Sequence, residues 1–183
     1  MKNVDLASFN NSWYKPGSKI KIFLWYFFNI IFLKNGLQPF SGVKIFVLKM
    51  FGAKIGSNVT LKPGVSIKYP WKLTIGKNVW IGEDVWIDNL DEVIIGNNVC
   101  LSQGVMLLCG NHNYKKSSFD LLIGKIVLED GVWIGAKAVV SGGVTCKSHS
   151  ILSLSSVASK DLLNYMIYRG NPAVEVAKRV VAE

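Results

Sequence analysis

The chain has 183 residues, half of them hydrophobic, and it carries a formal net charge of +9. This length and composition predict one compact domain with a small appendage. The three cysteines, Cys100, Cys109 and Cys146, are odd in number and scattered, which excludes a disulfide framework and predicts a reducing cytoplasm.

The positive charge is concentrated in the N-terminal part of the chain. Residues 1–54 contain eight lysines and one acid, for a net +7, whereas the remaining residues carry only +2. An aromatic and apolar stretch at residues 22–33 is too short to span a bilayer, which takes about 20 residues. It also lacks the small-residue cleavage site of a signal peptide.

Helical periodicity in this segment predicts two helices, over residues 19–34 and about 41–51, with Gly52 as a stop signal. Residues 1–54 are therefore expected to form a helical cap on the structure that follows. Apolar helices flanked by lysines equally fit peripheral contact with the anionic inner face of the plasma membrane, and the two roles are compatible. Nucleic acid is excluded as a partner, because the segment is too apolar for a solvated basic patch.

A repeated five-residue word follows the helices. The pattern Ile-Gly-X-Asn-Val occurs at residues 55–59, 75–79 and 95–99, so the period is 20 residues. A fixed period of about 20 residues with one turn-forming word per unit is typical of a solenoid. The sequence predicts an all-β fold over residues 55–173, followed by a short helix at residues 174–183.

An apolar residue recurs every six positions in this region, which predicts three short strands per coil, each with one side chain pointing into a narrow core. The neighbouring glycines are expected to permit the torsions of the corners. The two extra residues of each period are expected to bulge out near Trp71 and Asp91. The fifteen positions predicted to face inward are Ile55, Leu61, Ile67, Ile75, Ile81, Ile87, Ile95, Leu101, Leu107, Leu128, Ile134, Val140, Cys146, Leu152 and Ala158.

The six-residue phase is lost in the polar segment 108–126, which is predicted to protrude as a loop. Such a loop on a regular scaffold is a common place for binding and catalysis. It contains His112, one of only two histidines in the chain. Because histidine is suited to proton transfer near neutral pH, His112 is the candidate general base. His149 lies in a predicted corner and is expected to be a solvated turn residue.

Three motifs carry a resemblance to a known family: Val132-Trp-Ile-Gly-Ala136, Gly143-Val-Thr145 and Arg169-Gly-Asn-Pro-Ala173. With the six-residue phase, they make residues 55–178 resemble the hexapeptide-repeat acetyltransferases, most of all the colanic acid biosynthesis acetyltransferases, which are related to galactoside and maltose O-acetyltransferases. The resemblance implies a left-handed parallel β-helix and a homotrimer with active sites between subunits. It also implies acetyl transfer from acetyl-CoA to a sugar hydroxyl in capsule or exopolysaccharide biosynthesis, without a metal.

The resemblance also implies roles for individual residues. His112, in the motif Gly-Asn-His, matches the family's catalytic base, which activates the hydroxyl for direct attack on the thioester. Relatives carry Asp after this histidine, whereas Asn113 cannot balance an imidazolium charge, so the group that orients His112 is left open. The residues implied in acetyl-CoA binding are Trp133, Ala136, Leu154, Ser159, Lys160, Lys178 and Arg179. Those implied in acceptor binding are Asp88, Asn89, Asn111, Asn113 and Tyr114.

Several alternatives remain open at the level of sequence. The solenoid could serve as a non-catalytic scaffold or binding protein. A zinc enzyme like the gamma-type carbonic anhydrases needs three imidazoles at one cleft, and the chain has only two histidines. Cys109 near His112 could form a nucleophilic pair. Trp80 and Trp86, which point outward in the six-step phase, fit a subunit contact or sugar stacking.

Overall fold

Short strands around an apolar core follow from the six-residue phase, and the computed structural model, which describes residues 3–182, confirms a parallel β-helix. The predicted segments 1–54 and 174–183 include Met1, Lys2 and Glu183, which lie outside the described residues. The strands are β1 (Lys54–Ile55), β2 (Thr60–Leu61), β3 (Ser66–Ile67), β4 (Leu73–Ile75), β5 (Trp80–Ile81), β6 (Trp86–Asp88), β7 (Val93–Ile95), β8 (Cys100–Leu101), β9 (Met106–Leu108), β10 (Gly110–His112), β11 (Leu121–Ile123), β12 (Ile126–Leu128), β13 (Trp133–Ile134), β14 (Val139–Ser141), β15 (Thr145–Cys146), β16 (Ile151–Leu152), β17 (Val157–Ala158), β18 (Met166–Gly170) and β19 (Ala173–Lys178).

The strands stack into three parallel sheets, and each full coil adds one strand to each sheet. The sheets run β1-β4-β7-β12-β15, β2-β5-β8-β13-β16-β18 and β3-β6-β9-β14-β17. Ile55 pairs with Ile75 and Ile75 with Ile95, so the repeated words lie directly above one another. All fifteen positions predicted to face inward are buried, at 9% exposure or less. The extra residues of each period leave the coil at the 3₁₀ turn Pro70–Lys72 and at residues 89–92, as predicted.

The corner of the repeated word is made by asparagine. Asn58, Asn78 and Asn98 have φ values of 61°, 56° and 55°, and their side chains form a ladder of 3.1 Å hydrogen bonds from coil to coil. The expectation that the neighbouring glycine supplies this torsion is wrong. A Cβ on Gly56 would lie 2.6 Å from the carbonyl oxygen of Gly76, so glycine is needed for close stacking of the coils. Asparagine tolerates the left-handed conformation.

The two predicted N-terminal helices are present. Helix α1 (Lys19–Phe28) continues into a π-helical turn at Asn29–Leu33, and helix α2 (Ser41–Met50) follows. A short 3₁₀ turn, Leu6–Ser8, precedes them. Gly52, with φ +100°, ends α2 as predicted. None of the helices within residues 3–182 has the length and hydrophobicity required to cross a bilayer.

The helices cap the open end of the first coil, as predicted. Trp25 donates its indole N–H to the carbonyl of Ile67 at 2.9 Å. Lys44 is fully buried, and its Nζ donates to the carbonyls of Leu61 and Lys62 at 3.2 and 2.8 Å. The outer edge of a solenoid presents unpaired backbone groups, and these side chains satisfy some of them. The cap is therefore joined to the β-helix by hydrogen bonds as well as by apolar packing.

The predicted C-terminal helix at residues 174–183 is wrong. Residues Ala173–Lys178 form β19, which pairs antiparallel with β18 at the other end of the solenoid. The β-branched residues Val174 and Val176 favour a strand. The backbone of β18 would otherwise form an open edge, so pairing with β19 satisfies groups that a helix would leave exposed.

Candidate functional site

The predicted loop 108–126 contains an antiparallel hairpin. Strand β10 pairs with β11, and His112 lies opposite Leu121. The hairpin leaves the solenoid at Gly110, where a Cβ would collide with the side chain of Leu90. Glycine leaves room for the Leu90 side chain at this point, and the pairing of β10 and β11 places His112 beside the solenoid.

Two contacts of His112 hold its ring in place and assign its tautomer. Its Nδ1 lies 2.9 Å from the backbone carbonyl oxygen of Phe119, and its ring stacks on the Phe119 ring at 4.4 Å with an interplanar angle of 8°. A carbonyl can only accept, so Nδ1 carries a proton, and in the neutral ring the lone pair is on Nε2. Phe119 holds this carbonyl in place with φ +50°, a conformation that is rare for a bulky side chain. The group that orients the histidine is thus a backbone carbonyl, which no sequence pattern indicated.

A cavity of about 530 Å³ lies in front of His112. Asp88, Asn111 and Lys68 line the same cavity. Lys68 Nζ approaches Asp88 Oδ1 to 2.9 Å, but without hydrogen-bond geometry, so this buried oxygen has no hydrogen-bond partner among the described residues. The sequence analysis missed Lys68, although the period of 20 residues places it directly beside Asp88 on the next coil. The cavity therefore brings together the imidazole of His112 and a carboxylate that is ion-paired with a lysine.

The N-terminal arm, residues 3–18, forms one wall of this cavity, which the sequence analysis also missed. Phe9 and Tyr14 line it, and the Phe9 ring lies 5.7 Å from the ring of His112. The Tyr14 hydroxyl donates to the carbonyl of Leu90 at 2.6 Å, and its burial raises the pKa of the phenol. The Asp5 N–H donates to the carbonyl of Ser117 in the hairpin loop. Nothing in the arm's sequence signals these contacts, because each depends on a distant part of the chain.

The other predicted acceptor residues lie elsewhere. Asn89 is fully buried, and its side chain exchanges two hydrogen bonds with the backbone of Tyr69 at 2.9 and 2.6 Å. Asn113 turns its side-chain oxygen towards the N–H of Lys115 and makes no hydrogen bond to His112. Tyr114 is exposed at the tip of the hairpin. Of the five predicted acceptor residues, Asp88 and Asn111 therefore share a cavity with His112.

A second cavity, of about 580 Å³, lies on the sheet that contains β13, β16 and β18. Trp133, Ala136 and Leu154, three of the residues implied in cofactor binding, line it together. The Trp133 indole N–H donates to the hydroxyl of Ser102 at 3.0 Å, which fixes the ring at the cavity wall. Arg169 adds an exposed guanidinium that the sequence analysis did not assign to the site. A long apolar wall with a cation at one side suits a chain-like ligand that carries phosphate.

The remaining residues implied in cofactor binding do not line this cavity. Ser159, Lys160 and Lys178 are exposed outside it. Arg179 donates from Nη1 to the carbonyls of Gly131 and His149 at 2.7 and 3.2 Å, so its guanidinium is used to hold the corners of the coils.

The alternatives raised by the sequence fit the geometry less well. Cys109 is buried, and burial raises the pKa of its thiol to about 11, which disfavours the nucleophilic thiolate. His149 sits in a corner with φ +59° and stacks on Tyr165. Residues 3–182 contain no group of three or more His, Cys, Asp or Glu side chains placed to hold a metal ion. Trp80 and Trp86 are exposed, as expected for outward positions.

The chain is similar to known acetyltransferases in sequence and in fold. It is 34% identical over 180 residues, 98% of its own length and 99% of the relative's, to an Escherichia coli K12 protein named "Putative colanic acid biosynthesis acetyltransferase WcaF". It is 28% identical over 134 residues, 69% of its length and 64% of the relative's, to the galactoside O-acetyltransferase of the same organism. The fold matches a hexapeptide-repeat acetyltransferase of Vibrio cholerae, solved with acetyl coenzyme A, with a TM-score of 0.73 at 20% identity, over 80% of this chain and 81% of that one. No protein-family model matches the chain.

Proposed function

Because this chain belongs to the hexapeptide-repeat acetyltransferases, we propose that it transfers the acetyl group of acetyl-CoA to a sugar hydroxyl in the biosynthesis of a surface polysaccharide, with His112 as general base. The observation that carries the proposal is the contact between His112 Nδ1 and the carbonyl of Phe119, because in the neutral imidazole it assigns the proton to Nδ1 and the lone pair to Nε2, beside a cavity lined by Asp88. The relatives named for colanic acid biosynthesis and for galactoside acetylation support the sugar acceptor and the glycan pathway.

His112 performs the proton transfers of the reaction. Nε2 takes the proton of the acceptor hydroxyl while the hydroxyl oxygen forms a bond to the thioester carbonyl carbon. The imidazolium then returns this proton to the sulfur of CoA as the carbon–sulfur bond breaks, so the histidine ends neutral. A positioned base of this kind typically contributes about 10²–10⁴ to the rate. The step needs no thiol nucleophile, which agrees with the buried and protonated Cys109.

Asp88, Asn111 and Lys68 are the groups that would hold the acceptor. The second carboxylate oxygen of Asp88, whose Oδ1 is ion-paired with Lys68, can accept a hydrogen bond from a second sugar hydroxyl. Asn111, whose Oδ1 accepts from the backbone N–H of His112 at 2.7 Å, offers its side-chain NH₂ as a donor. A sugar hydroxyl bonded to Asp88 would bring its neighbour on the ring towards Nε2 of His112. The N-terminal arm would close over the sugar, since Phe9 and Tyr14 form the facing wall.

The cavity of Trp133, Ala136 and Leu154 would take the pantetheine arm of acetyl-CoA, with Arg169 at a phosphate. This cavity and the cavity of His112 are lined by different residues of the protomer. In the homotrimer that the resemblance implies, one copy would supply the base and its neighbour the thioester. Free cysteines at positions 100, 109 and 146 fit a reaction in the reducing cytoplasm, where acetyl-CoA is available.

The test is an assay of thiol release from acetyl-CoA with a panel of nucleotide-linked and lipid-linked sugars. His112→Ala should lower turnover at least about a hundredfold, while the affinity for acetyl-CoA measured by calorimetry stays unchanged. His149→Ala is the matched control, because this second histidine stacks in a corner and should retain activity. Retained turnover in His112→Ala would refute the assignment of the base. A chain that fails to bind acetyl-CoA at all would instead be a non-catalytic scaffold.

A further inference from the structure

Helix α1 and its π-helical turn are apolar on two sides. The inner side, with Trp25 and Leu33, packs on the first coil, and both residues are buried. The outer side carries Phe23, Phe27 and Ile31, which are 63%, 47% and 54% exposed. A surface helix normally has one apolar stripe and a polar opposite face. The outer stripe is therefore not explained by capping.

Helix α2 repeats this arrangement. Val47 and Leu48 are buried against the coil, whereas Phe46 and Met50 are exposed on the other side. Because both helices turn their inner sides to the first coil, their outer sides face away from it. We call the exposed apolar side chains of residues 20–50 the outer cap face. It includes twelve large apolar side chains, compared with eight in the whole of residues 55–173. Exposed apolar surface at this density marks an interaction site.

The charge around the outer cap face indicates its partner. Lys19, Lys34 and Lys49 are exposed at the ends of the helices. No Asp or Glu occurs between Asp5 and Glu83, so these charges have no acidic neighbour in the cap sequence. We propose that the outer cap face docks on an anionic lipid bilayer, with the aromatic side chains in the interface and the lysines at the headgroups. A second copy of the chain is a poorer partner, because pairing two such faces brings like charges together.

The docking surface adjoins the candidate acceptor cavity. A cavity of about 290 Å³ lies between α1 and the coils, lined by Tyr26 and Lys34 on the helical side and by Lys68 and Asp88 on the other. Lys68 and Asp88 also line the cavity of His112. The Tyr26 ring lies 5.8 Å from the ring of Phe27 on the outer cap face. If the proposed function holds, the acceptor is therefore a sugar carried on a membrane lipid, with its phosphate near Lys34 and Lys68.

Vesicle binding by the full-length chain tests the docking directly. The protein should bind vesicles of phosphatidylethanolamine with phosphatidylglycerol at least about tenfold more tightly than pure phosphatidylcholine vesicles, and added salt should weaken this binding. Phe23→Ser combined with Phe46→Ser should weaken it at least about tenfold. The matched control combines Leu163→Ser with Val174→Ser, which are exposed apolar residues in the C-terminal part of the chain and should leave binding unchanged.

Three results would overturn the docking proposal: absence of binding by the wild-type chain, equal binding to neutral and anionic vesicles, or equal loss in the control variant. Sedimentation velocity without lipid tests whether the outer cap face instead binds a second copy of the chain. If the Phe23 and Phe46 substitutions change the oligomeric state, the face is a contact between copies and the proposal fails. Circular dichroism confirms that each variant is folded, which is expected because all four positions are exposed.

An activity measurement separates this inference from the proposed function. The Phe23→Ser and Phe46→Ser variant should lose turnover on a vesicle-borne lipid-linked sugar and keep it on the same sugar in soluble form. Equal activity of the variant on both acceptors would overturn the link between docking and substrate. A wild-type chain that binds anionic vesicles but acetylates neither acceptor would refute the proposed function and leave the docking intact.

Discussion

The β-helix and the helical cap differ in how many of their apolar side chains are buried. In the β-helix every one of the fifteen apolar residues at the six-step positions is buried. In the cap, Trp25 and Val47 are buried while their neighbours Phe23 and Phe46 are exposed. The apolar residues at the six-step positions of the coils are thus all used in the core, whereas the cap has further apolar side chains that do not pack against the rest of the protein. The first region forms the scaffold from which the hairpin with His112 projects, and the second carries the surface that we propose docks on a membrane.

The largest expected difference concerns stability. Ile81 is fully buried in the second coil, and Ile81→Ala should lower the free energy of unfolding by about 2–5 kcal/mol through lost burial and a cavity. Phe27→Ala, in the outer cap face, should change it by less than about 0.5 kcal/mol. Urea unfolding at one protein concentration measures both. Similar losses in the two variants would mean that Phe27 is buried in the assembled protein. The contrast between a buried β-helix core and an exposed cap face would then be wrong.

The inner side of the cap should behave like the coils. Lys44→Met keeps the length of the side chain but removes the donor to the carbonyls of Leu61 and Lys62. The carbonyl of Leu61 still accepts from the Ser41 hydroxyl at 3.2 Å, but the carbonyl of Lys62 loses its donor, which should cost about 1–3 kcal/mol of unfolding free energy. Lys49→Met, on the same helix but exposed, is the control and should have little effect. The midpoint of thermal unfolding should likewise fall more for Lys44→Met than for Lys49→Met. Equal shifts in both variants would contradict the role of Lys44 in joining the helices to the first coil.

The hairpin belongs to neither region, and its contacts should affect chemistry more than stability. Phe119→Ala removes the ring on which His112 stacks and loosens the carbonyl that holds Nδ1. We expect kcat to fall about tenfold while KM for acetyl-CoA stays constant, since misplacement of a base raises the barrier without affecting cofactor binding. Phe119→Tyr retains the ring and should restore most of the rate. A rise in KM with kcat unchanged would show that Phe119 serves substrate binding instead.

A further difference between the two regions is a loss of stability at alkaline pH that arises in the coils. Burial raises the pKa of Cys109 to about 11 and that of Cys146 to about 12 from an ordinary 9.0. Above pH 9.0 the unfolded thiols therefore lose protons that the folded ones keep, so the unfolding free energy falls as pH rises, by at most about 1.4 kcal/mol per pH unit for each thiol. Residues 1–54 contain no cysteine, so no thiol of the cap adds to this loss.

A series of urea titrations between about pH 8 and 9.5 measures this slope, below the pH of about 10 at which a free tyrosine is half ionised. Cys146→Ala should be less stable near neutral pH because it leaves a cavity, but its decline with pH should be shallower than that of the wild type. A slope unchanged by this substitution would mean that other groups cause the alkaline loss.

The residues of the candidate site that belong to a repeat or to a recognisable motif could be predicted from the sequence. The six-step phase identified the core, and its interruption identified the segment that bears His112. Trp133, Ala136 and Leu154 were selected by resemblance, and they do line one cavity. Lys68 could have been found, since it precedes Asp88 by one period and the strands pair in that register. Tyr14 and Phe119 could not, because a single aromatic residue in a loop has no periodicity that reveals a distant contact.

The sequence by itself determined the winding of the coils, because each inward residue and each corner repeats a local requirement at a fixed spacing. It also determined that the cap would be helical, apolar and basic. Only the tertiary structure decided that the N-terminal arm walls the cavity of His112, that the carbonyl of Phe119 sets its tautomer, and that the last residues form a strand. These features depend on contacts between segments far apart in the chain, where the partner's position rather than local preference sets the lowest free energy.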